Sequence, residues 1–369
     1  MSSAPPDPAT HALSGAPARF PGGLRELGPR TWAWLQPDGG LGESNAGLVV
    51  GDGASLLVDT LWDERLTRRM LAATAPALAG APLRRAFVTH PDGDHWWGNA
   101  ALDETATGPA SGGLGAAPVE ILATPACDRA MRAEAPPRVL NGMTRAAALA
   151  RRAPGRIGAT AARMHAQLAP FAWRGVRLRF ADRVLELTER TTLGGRSVAS
   201  ATLDVGGRTV RVLDLGPAHS PADAVVHVPD ARLVFAADLL FAGVTPIMWH
   251  GPVETWLAAL DALLALDAEV YLPGHGPPCG RDEIERLAAY WRWLRDGVAE
   301  QHAAGRRGTD AARALLRSPG HRPFADWLAP ERILVNVATI ERKPGELSPP
   351  ARARLLLAMN ALGAEPAAG

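Results

Sequence analysis

Four side chains of the kinds that bind metal ions fall within six residues of this 369-residue chain, at His90, Asp92, Asp94 and His95. They follow an apolar run at residues 85–89, which predicts a short buried strand, so the loop after it can direct all four into one cavity. Residues two apart in extended chain point the same way, and the glycine between the two aspartates permits a tight turn. Imidazole and carboxylate groups suit zinc, iron and manganese. Taken alone, the loop also fits a polar surface turn.

Three later segments weaken that alternative, because each places one residue of a metal-binding type just past a predicted apolar strand. These residues are His219, Asp238 and His275. The predicted strands form two groups, at about residues 31–123 and 176–272, and each group is interrupted and followed by helical segments. Such a pattern favours two sheets packed face to face with helices outside.

In order and approximate spacing, these positions resemble the motifs of the metallo-β-lactamase superfamily over about residues 30–280. The matches are Asp59 at a strand end, the His-x-Asp-x-Asp-His loop at 90–95, His219, Asp238, and His275 within Pro-Gly-His-Gly. The resemblance implies an α/β fold, the αβ/βα four-layer sandwich of that superfamily, with a metal site at the edge between the two sheets.

The resemblance also implies a site for two divalent metal ions. Carried over position by position, it assigns His90, Asp92 and His219 to one metal, Asp94, His95 and His275 to the other, and Asp238 to a bridge, with a water or hydroxide bridging opposite. Asp59 is expected behind the ligands, where it orients one of them. Asp223 is expected either to do the same or to cap a helix or turn.

Asp92 departs from the superfamily pattern, which usually has a second histidine at this position. An aspartate is shorter, harder and charged, and it favours a harder metal. Some superfamily members that use two irons for oxygen chemistry carry a glutamate there. Zinc is the expected metal, with iron or manganese as alternatives, and Asp92 is either a zinc ligand or too short to reach the metal.

The chemistry expected of such a site is hydrolysis. A metal-bridging hydroxide is a nucleophile at neutral pH, because metals lower the pKa of bound water toward ~7. This suits cleavage of an ester, thioester, lactone or amide of a small organic substrate, with Asp94 as the catalytic residue that carries a proton to the leaving group. The alternative is a dinuclear iron oxidoreductase or oxygenase, which Asp92 motivates, although the residues after 280 are too few for a flavodoxin-like domain.

Composition and charge disfavour other classes. The chain has 39 basic and 38 acidic residues, a net charge of +1, so nothing predicts a nucleic-acid partner. No apolar run reaches the ~18 residues that span a bilayer, and the N-terminus lacks a signal-peptide pattern. Cys127 and Cys279 cannot make a disulfide framework. We therefore expect a cytoplasmic enzyme that acts on a small molecule, without a membrane partner.

The domain organisation follows from composition. Residues 1–28, rich in Pro, Ala, Ser and Gly, are expected to form a flexible arm whose deletion leaves thermal stability nearly unchanged. Residues 29–369 are expected to form a single domain, with a helical insertion at about 126–170 and a C-terminal helical extension at about 281–362. The helices after residue 281 either complete the sandwich or form a homodimer interface.

Side chains near the motif loops are candidates for a substrate pocket. They are Trp62, Trp96, Trp97, Trp249 and His250. The alternative for each tryptophan is ordinary core packing beside a loop. The insertion is expected either to cap the site or to pack against it.

Overall fold

The computed structural model of the chain describes residues 5–106, 117–345 and 347–365. Two β-sheets face each other across a shared apolar core, and helices cover the outer face of each sheet. The layers therefore run helix, sheet, sheet, helix. The predicted αβ/βα four-layer sandwich is confirmed.

The first sheet begins as an antiparallel meander and continues, from its fourth strand, as parallel strands. Its strands lie side by side in chain order. They are β1 (Gly23–Gly28), β2 (Thr31–Leu35), β3 (Ala46–Val50), β4 (Ser55–Val58), β5 (Leu83–Val88), β6 (Glu120–Ala123) and β7 (Arg183–Val184).

The second sheet is antiparallel except for its last pair, and its strands also follow chain order. They are β8 (Glu189–Leu193), β9 (Arg196–Val205), β10 (Arg208–Asp214), β11 (Ala224–Val228), β12 (Leu233–Phe241) and β13 (Val270–His275). Strands β10, β12 and β13 run in the same direction, so their carboxyl ends meet at one edge of this sheet.

The core between the sheets explains which strands are continuously apolar. Leu56 and Phe87 of the first sheet and Val212 and Phe235 of the second belong to one buried cluster. Strands such as β11 and β12 are buried along their whole length, because helices cover the face that does not meet the other sheet, and they lack the alternation of a half-exposed strand.

The helices fall into three sets. One set covers the sheets, one forms the insertion between β6 and β7, and one forms the C-terminal extension. In chain order they are α1 (Glu64–Thr74), α2 (Pro125–Ala133), α3 (Pro137–Ala150), α4 (Gly155–Leu168), α5 (Val253–Leu264), α6 (Arg281–Ala303), α7 (Gly308–Leu316), α8 (Ile333–Ile340) and α9 (Pro349–Gly363). In the described part of the chain, no helix combines the length and the apolar character needed to cross a bilayer.

The insertion and the C-terminal extension contact each other. Helix α4 packs against α9, and Arg163 of α4 forms an ion pair with Glu331 just before α8. At the ends of these helices, Arg156 reaches Glu365 at 2.9 Å. Two segments that are far apart in sequence therefore form one helical layer.

The N-terminal segment differs from the flexible arm expected over residues 1–28. Residues 23–28 form β1, which pairs with β2. Upstream of it, the Leu13 amide donates to the Glu43 carboxylate at 2.7 Å, and Arg69 donates to the carbonyls of Pro5 and Pro6. The segment bonds to the body through irregular backbone, and such bonding leaves no periodic signal in the sequence. Residues 1–4 lie outside the described residues.

Deleting residues 1–28 is therefore expected to lower the melting temperature by several degrees, because β2 loses its hydrogen-bonded neighbour. Deleting residues 1–22 alone keeps β1 and serves as the control, with a smaller loss. Scanning calorimetry measures both. A 1–28 deletion that melts within about 1 °C of the full chain would restore the flexible-arm interpretation.

Candidate metal centre

The predicted ligands meet where the carboxyl ends of strands from both sheets come together. Strand β5 leads into the loop that carries the first four ligands, and β10 leads into the loop that carries His219. Asp238 lies within β12, and His275 ends β13. One edge of the sandwich thus collects residues that lie up to 185 positions apart in the sequence.

The first group of ligands is His90, Asp92 and His219. Each offers a ligand atom, and these atoms lie within 4.8 Å of one another. The Nε2 atom of His219 lies 3.0 Å from an Asp92 carboxylate oxygen. The shorter side chain at position 92 therefore reaches the other members of its group.

The second group is Asp94, His95 and His275, whose ligand atoms also lie within 4.8 Å of one another. The Nε2 atom of His275 lies 3.3 Å from Asp94 Oδ2. Phe241 stacks on the His275 ring with centroids 5.3 Å apart and planes 3° from parallel, which fixes the orientation of that ring.

Asp238 lies between the two groups. Its Oδ1 is 3.1 Å from His95 Nε2, and its Oδ2 is 3.5 Å from the Nε2 atoms of both His219 and His275. The carboxylate packs directly against Gly274, where an added Cβ would lie 1.8 Å from Asp238 Oδ1. Only glycine fits there, which gives the Pro-Gly-His sequence a steric reason.

Hydrogen bonds on the far side of three imidazoles turn their Nε2 atoms inward. His95 Nδ1 donates to Asp59 Oδ2 at 2.9 Å, and His219 Nδ1 donates to the Ile247 carbonyl at 2.7 Å. His90 Nδ1 lies 3.0 Å from the Thr89 hydroxyl. In the neutral imidazoles this arrangement leaves the Nε2 lone pair free for a metal.

The donor set fits divalent metal ions. The Nε2 atom of His90 is buried and has no hydrogen-bond partner among the described residues. The buried atoms His95 Nε2 and Asp238 Oδ1 lie 3.1 Å apart, yet neither forms a hydrogen bond with a described residue. Buried polar atoms are normally paired. Unpaired atoms that converge on one point, with carboxylates beside them, are the donors that zinc, iron or manganese takes.

The charge of the site points the same way. Burial opposes protonation of His219, but the carboxylates of Asp92 and Asp238 outweigh it and raise its pKa to about 9. His95 has its pKa raised well above the usual value, since Asp238 and Asp59 outweigh its burial. Burial, together with the neighbouring His95, lowers the pKa of His90 to about 4. A metal ion that binds here displaces the protons of His95 and His219.

Asp59 contacts a ligand directly, as expected from the resemblance. Besides His95 it accepts hydrogen bonds from the backbone amide and the hydroxyl of Thr89, both at 2.8 Å. Its backbone has φ = +64°, a left-handed conformation that is costly for a residue other than glycine. The three hydrogen bonds compensate for that strain.

Asp223 caps a turn instead of contacting a ligand side chain. Its carboxylate accepts from the Ala218 amide at 2.8 Å and from the Ser220 hydroxyl at 2.6 Å. These residues flank His219, so Asp223 holds the loop in which that ligand lies. Of the two roles expected for it, the structure shows the cap.

A cavity of about 370 Å³ lies directly over the ligands. Asp92, Asp94, Asp238 and His275 form its polar end. The remaining lining is mostly apolar and comes from the insertion, from α9 and from tryptophans, among them Leu140, Met143, Leu356, Trp62, Trp97 and Trp249.

Two of the predicted pocket residues lie elsewhere. Trp96 is fully buried in the core beside the first sheet, and its indole N–H donates to the Pro91 carbonyl at 2.7 Å. His250 bonds through Nδ1 to the carbonyl of Gly251 and lies beside Gly345. Consecutive residues in the short 3-10 turns after β5 point in different directions, and so Trp96 and Trp97 separate.

Sequence reasoning missed Glu134, which follows α2 in the insertion. One carboxylate oxygen accepts from the Gly93 amide at 3.0 Å, and the other accepts from the indoles of Trp96 and Trp97, both at 3.1 Å. Burial, followed by the charge of Asp92, raises the pKa of Glu134 well above its usual value. The insertion thus clamps the ligand loop, and no local motif marks this residue.

Ser44 and Asn45 were also missed. The Ser44 hydroxyl donates to the Asp94 carbonyl at 2.6 Å, and the Asn45 amide donates to the carbonyls of Pro273 and Gly276 at 2.9 and 2.8 Å. These hydrogen bonds connect the loop before β3 to the Asp94 loop, which follows a strand of the first sheet, and to the backbone around His275, which ends a strand of the second sheet. A polar pair just before an apolar strand was the available signal.

Comparison with known proteins agrees with this geometry. The model of the metallo-beta-lactamase superfamily matches residues 39–275, which is more than half of the chain. The chain therefore belongs to the metallo-beta-lactamase superfamily. The predicted superfamily membership is confirmed.

Two curated relatives match over shorter stretches. The chain is 31% identical over 106 residues to a linear primary-alkylsulfatase from a Pseudomonas strain, a match that covers 27% of this chain and 19% of the relative. It is 27% identical over 94 residues to the alpha subunit of a 2,4-dinitroanisole O-demethylase from a Nocardioides strain, covering 24% of this chain and 27% of that subunit. The match thus spans about a fifth to a quarter of each relative's length.

Among solved structures, a stereoselective inverting sec-alkylsulfatase from Pseudomonas sp. is similar in fold. Its TM-score is 0.57 at 15% identity, and the match covers 87% of this chain and 50% of that one. At this identity the similarity supports the shared fold.

Replacing Glu134 by alanine leaves the Gly93 amide and the Trp97 indole N–H without their acceptor, whereas the Trp96 indole keeps the Pro91 carbonyl. We expect zinc affinity to fall about 10- to 100-fold, as for other residues that orient metal-binding loops, while circular dichroism stays unchanged. Asp128→Ala, in which an ion pair on the surface of the same helix is lost, is the control. Competition with a chromogenic chelator measures both. Wild-type zinc affinity in Glu134→Ala would show that the clamp is not needed.

Proposed function

We propose that the chain is a metal-dependent hydrolase that cleaves an ester, thioester, lactone or amide bond of a small organic substrate. The observation that supports this proposal most directly is that the candidate metal ligands and an apolar cavity lie side by side. Two groups of metal-type ligands share Asp238, and they open directly into a mostly apolar cavity of about 370 Å³. A hydrolase for organic molecules needs both at the same place.

Two divalent ions bound by the two groups would supply a water nucleophile that is activated at neutral pH and would polarise the scissile carbonyl. His90, Asp92 and His219 would hold one ion, Asp94, His95 and His275 the other, with Asp238 between. Zinc is the metal we propose, because most of the unpaired donors are imidazole nitrogens.

The chain itself supplies the remaining functions. Asp94 lines the cavity, and its Oδ2 lies 3.3 Å from His275 Nε2. In this proposal Asp94 would pass a proton to the leaving group. The walls formed by Trp62, Trp97 and Trp249 exclude water from the organic part of the substrate. One curated relative is named an alkylsulfatase, and sulfate esters therefore belong among the substrates to be tested.

A dinuclear iron oxidoreductase is the second candidate. Asp92 favours it, because its carboxylate lies within the first ligand group, where it would give that metal a hard, charged ligand. The two candidates differ in the metal that the protein holds and in whether turnover needs oxygen.

The test combines metal analysis with turnover. Protein purified without chelator is examined by mass spectrometry and visible absorption, then assayed on 4-nitrophenyl esters, a thioester, a lactone and an alkyl sulfate. We expect about two zinc ions per chain, no colour, and oxygen-independent cleavage of at least one substrate. Asp94→Asn is expected to lower kcat at least about 100-fold.

The control is Asp267→Asn, which removes a surface carboxylate that pairs with Arg232 and should leave the rate unchanged. Bound iron with visible absorption and oxygen-dependent turnover would replace the hydrolase with the second candidate. Loaded protein that cleaves nothing in the panel would contradict the proposed bond classes.

A further inference from the structure

Two arginines of the C-terminal extension line the same cavity as the metal-type ligands. Arg332 directly precedes α8, and Arg352 lies in the first turn of α9. Most of the remaining wall is apolar, with Val139, Leu140 and Leu356 among its residues. The cavity therefore has a mostly apolar wall and a polar end, where aspartate carboxylates and arginine guanidinium groups both occur.

Arg332 is buried without a carboxylate partner. Only 3% of its surface is exposed, and its Nη1 donates to the Thr245 carbonyl at 3.1 Å. Within residues 5–106, 117–345 and 347–365, no carboxylate forms an ion pair with its guanidinium. The adjacent carboxylate, that of Glu331, pairs with Arg163 instead. A buried guanidinium without a counter-ion is costly, and the described residues supply none, so an anion bound in the cavity would lower that cost.

Arg352 is in a different position. Its Nη1 lies 3.9 Å from Asp92 Oδ1, and its Cζ lies 5.4 Å from the centre of the Trp249 ring. Both neighbours stabilise its charge. Of the two arginines, Arg332 is the one that forms no ion pair with a carboxylate among the described residues.

The ligand carboxylates do not act as the missing counter-ions of Arg332. Burial lowers the pKa of its guanidinium, and Glu331, Asp238 and Asp94 counteract this only in part. In the loaded protein, Asp238 and Asp94 would be committed to the metals. Arg332 lines the cavity, and the acceptor of its guanidinium is the Thr245 carbonyl. An anionic molecule in the cavity could therefore supply the missing counter-ion.

We propose that Arg332 binds an anionic group of the molecule that occupies the cavity, and that the substrate is an amphiphilic anion with a carboxylate or a sulfate. The guanidinium presents a planar pair of donors that matches two oxygens of either group, while the apolar wall takes the hydrocarbon part. The statement about the substrate rests on the proposed function, whereas the statement about anion binding does not.

The experiment measures binding, so that it does not depend on turnover. Calorimetry on the zinc-loaded full chain compares octanoate and octyl sulfate, both below their micellar concentrations, with neutral octan-1-ol. Arg332→Met removes the charge at similar length, and Arg332→Lys keeps the charge without the planar fork. The matched control is Arg281→Met, since Arg281 is not among the residues that line the cavity and also donates to a backbone carbonyl, that of Leu264.

We expect Arg332→Met to weaken binding of at least one of the two anions by about tenfold or more and to leave octan-1-ol unchanged. The anion affinity of Arg332→Lys should lie between those of this variant and the wild type. If the methionine variant does not fold, the lysine variant is compared with the wild type instead. Arg281→Met should change none of the affinities. A loss confined to one anion identifies the preferred group.

Anion affinities that survive Arg332→Met would overturn the proposal, since the metals alone would then account for binding. An equal loss for octan-1-ol would overturn it as well, because the arginine would then only shape the cavity. Zinc content is measured in every variant. Anion binding that depends on Arg332 in a protein without hydrolytic activity would leave the anion site standing and remove the proposed function.

Discussion

The buried carboxylate of Asp238 is the interaction on which the site depends. Its oxygens lie 3.1 Å from His95 and 3.5 Å from both His219 and His275, so one side chain contacts ligands from both sheets. A carboxylate buried this deeply is costly unless positive charge surrounds it. The edges of the two sheets must therefore remain aligned, or this charge loses its compensation.

The alignment is maintained by polar side chains that cross between segments. Asn45, before β3 of the first sheet, bonds to the carbonyls on both sides of His275 in the second. Asn336 of α8 accepts from the Met248 amide and donates to the Pro246 carbonyl, and between these residues lies the carbonyl that orients His219. The C-terminal extension is thus part of the scaffold of the metal centre as well as a wall of the cavity.

The sequence, through its resemblance to a known family, was enough to predict the sandwich and the convergence of the candidate ligands, because a residue such as His275 is a polar residue just past an apolar strand, and strand ends converge. It was not enough for residues whose position depends on irregular backbone or distant pairing. Trp96 and Trp97 are adjacent, yet only one lines the cavity. Glu134 and Arg332 reach the site from helical segments, and no local pattern marks either one.

The most direct test of the paired site is anomalous diffraction from crystals of the zinc-loaded protein. Two zinc peaks are predicted, about 3.5–4 Å apart, one beside His90, Asp92 and His219 and the other beside Asp94, His95 and His275. Asp238 should lie between them. A single peak, or a peak away from these residues, would contradict the shared two-metal site.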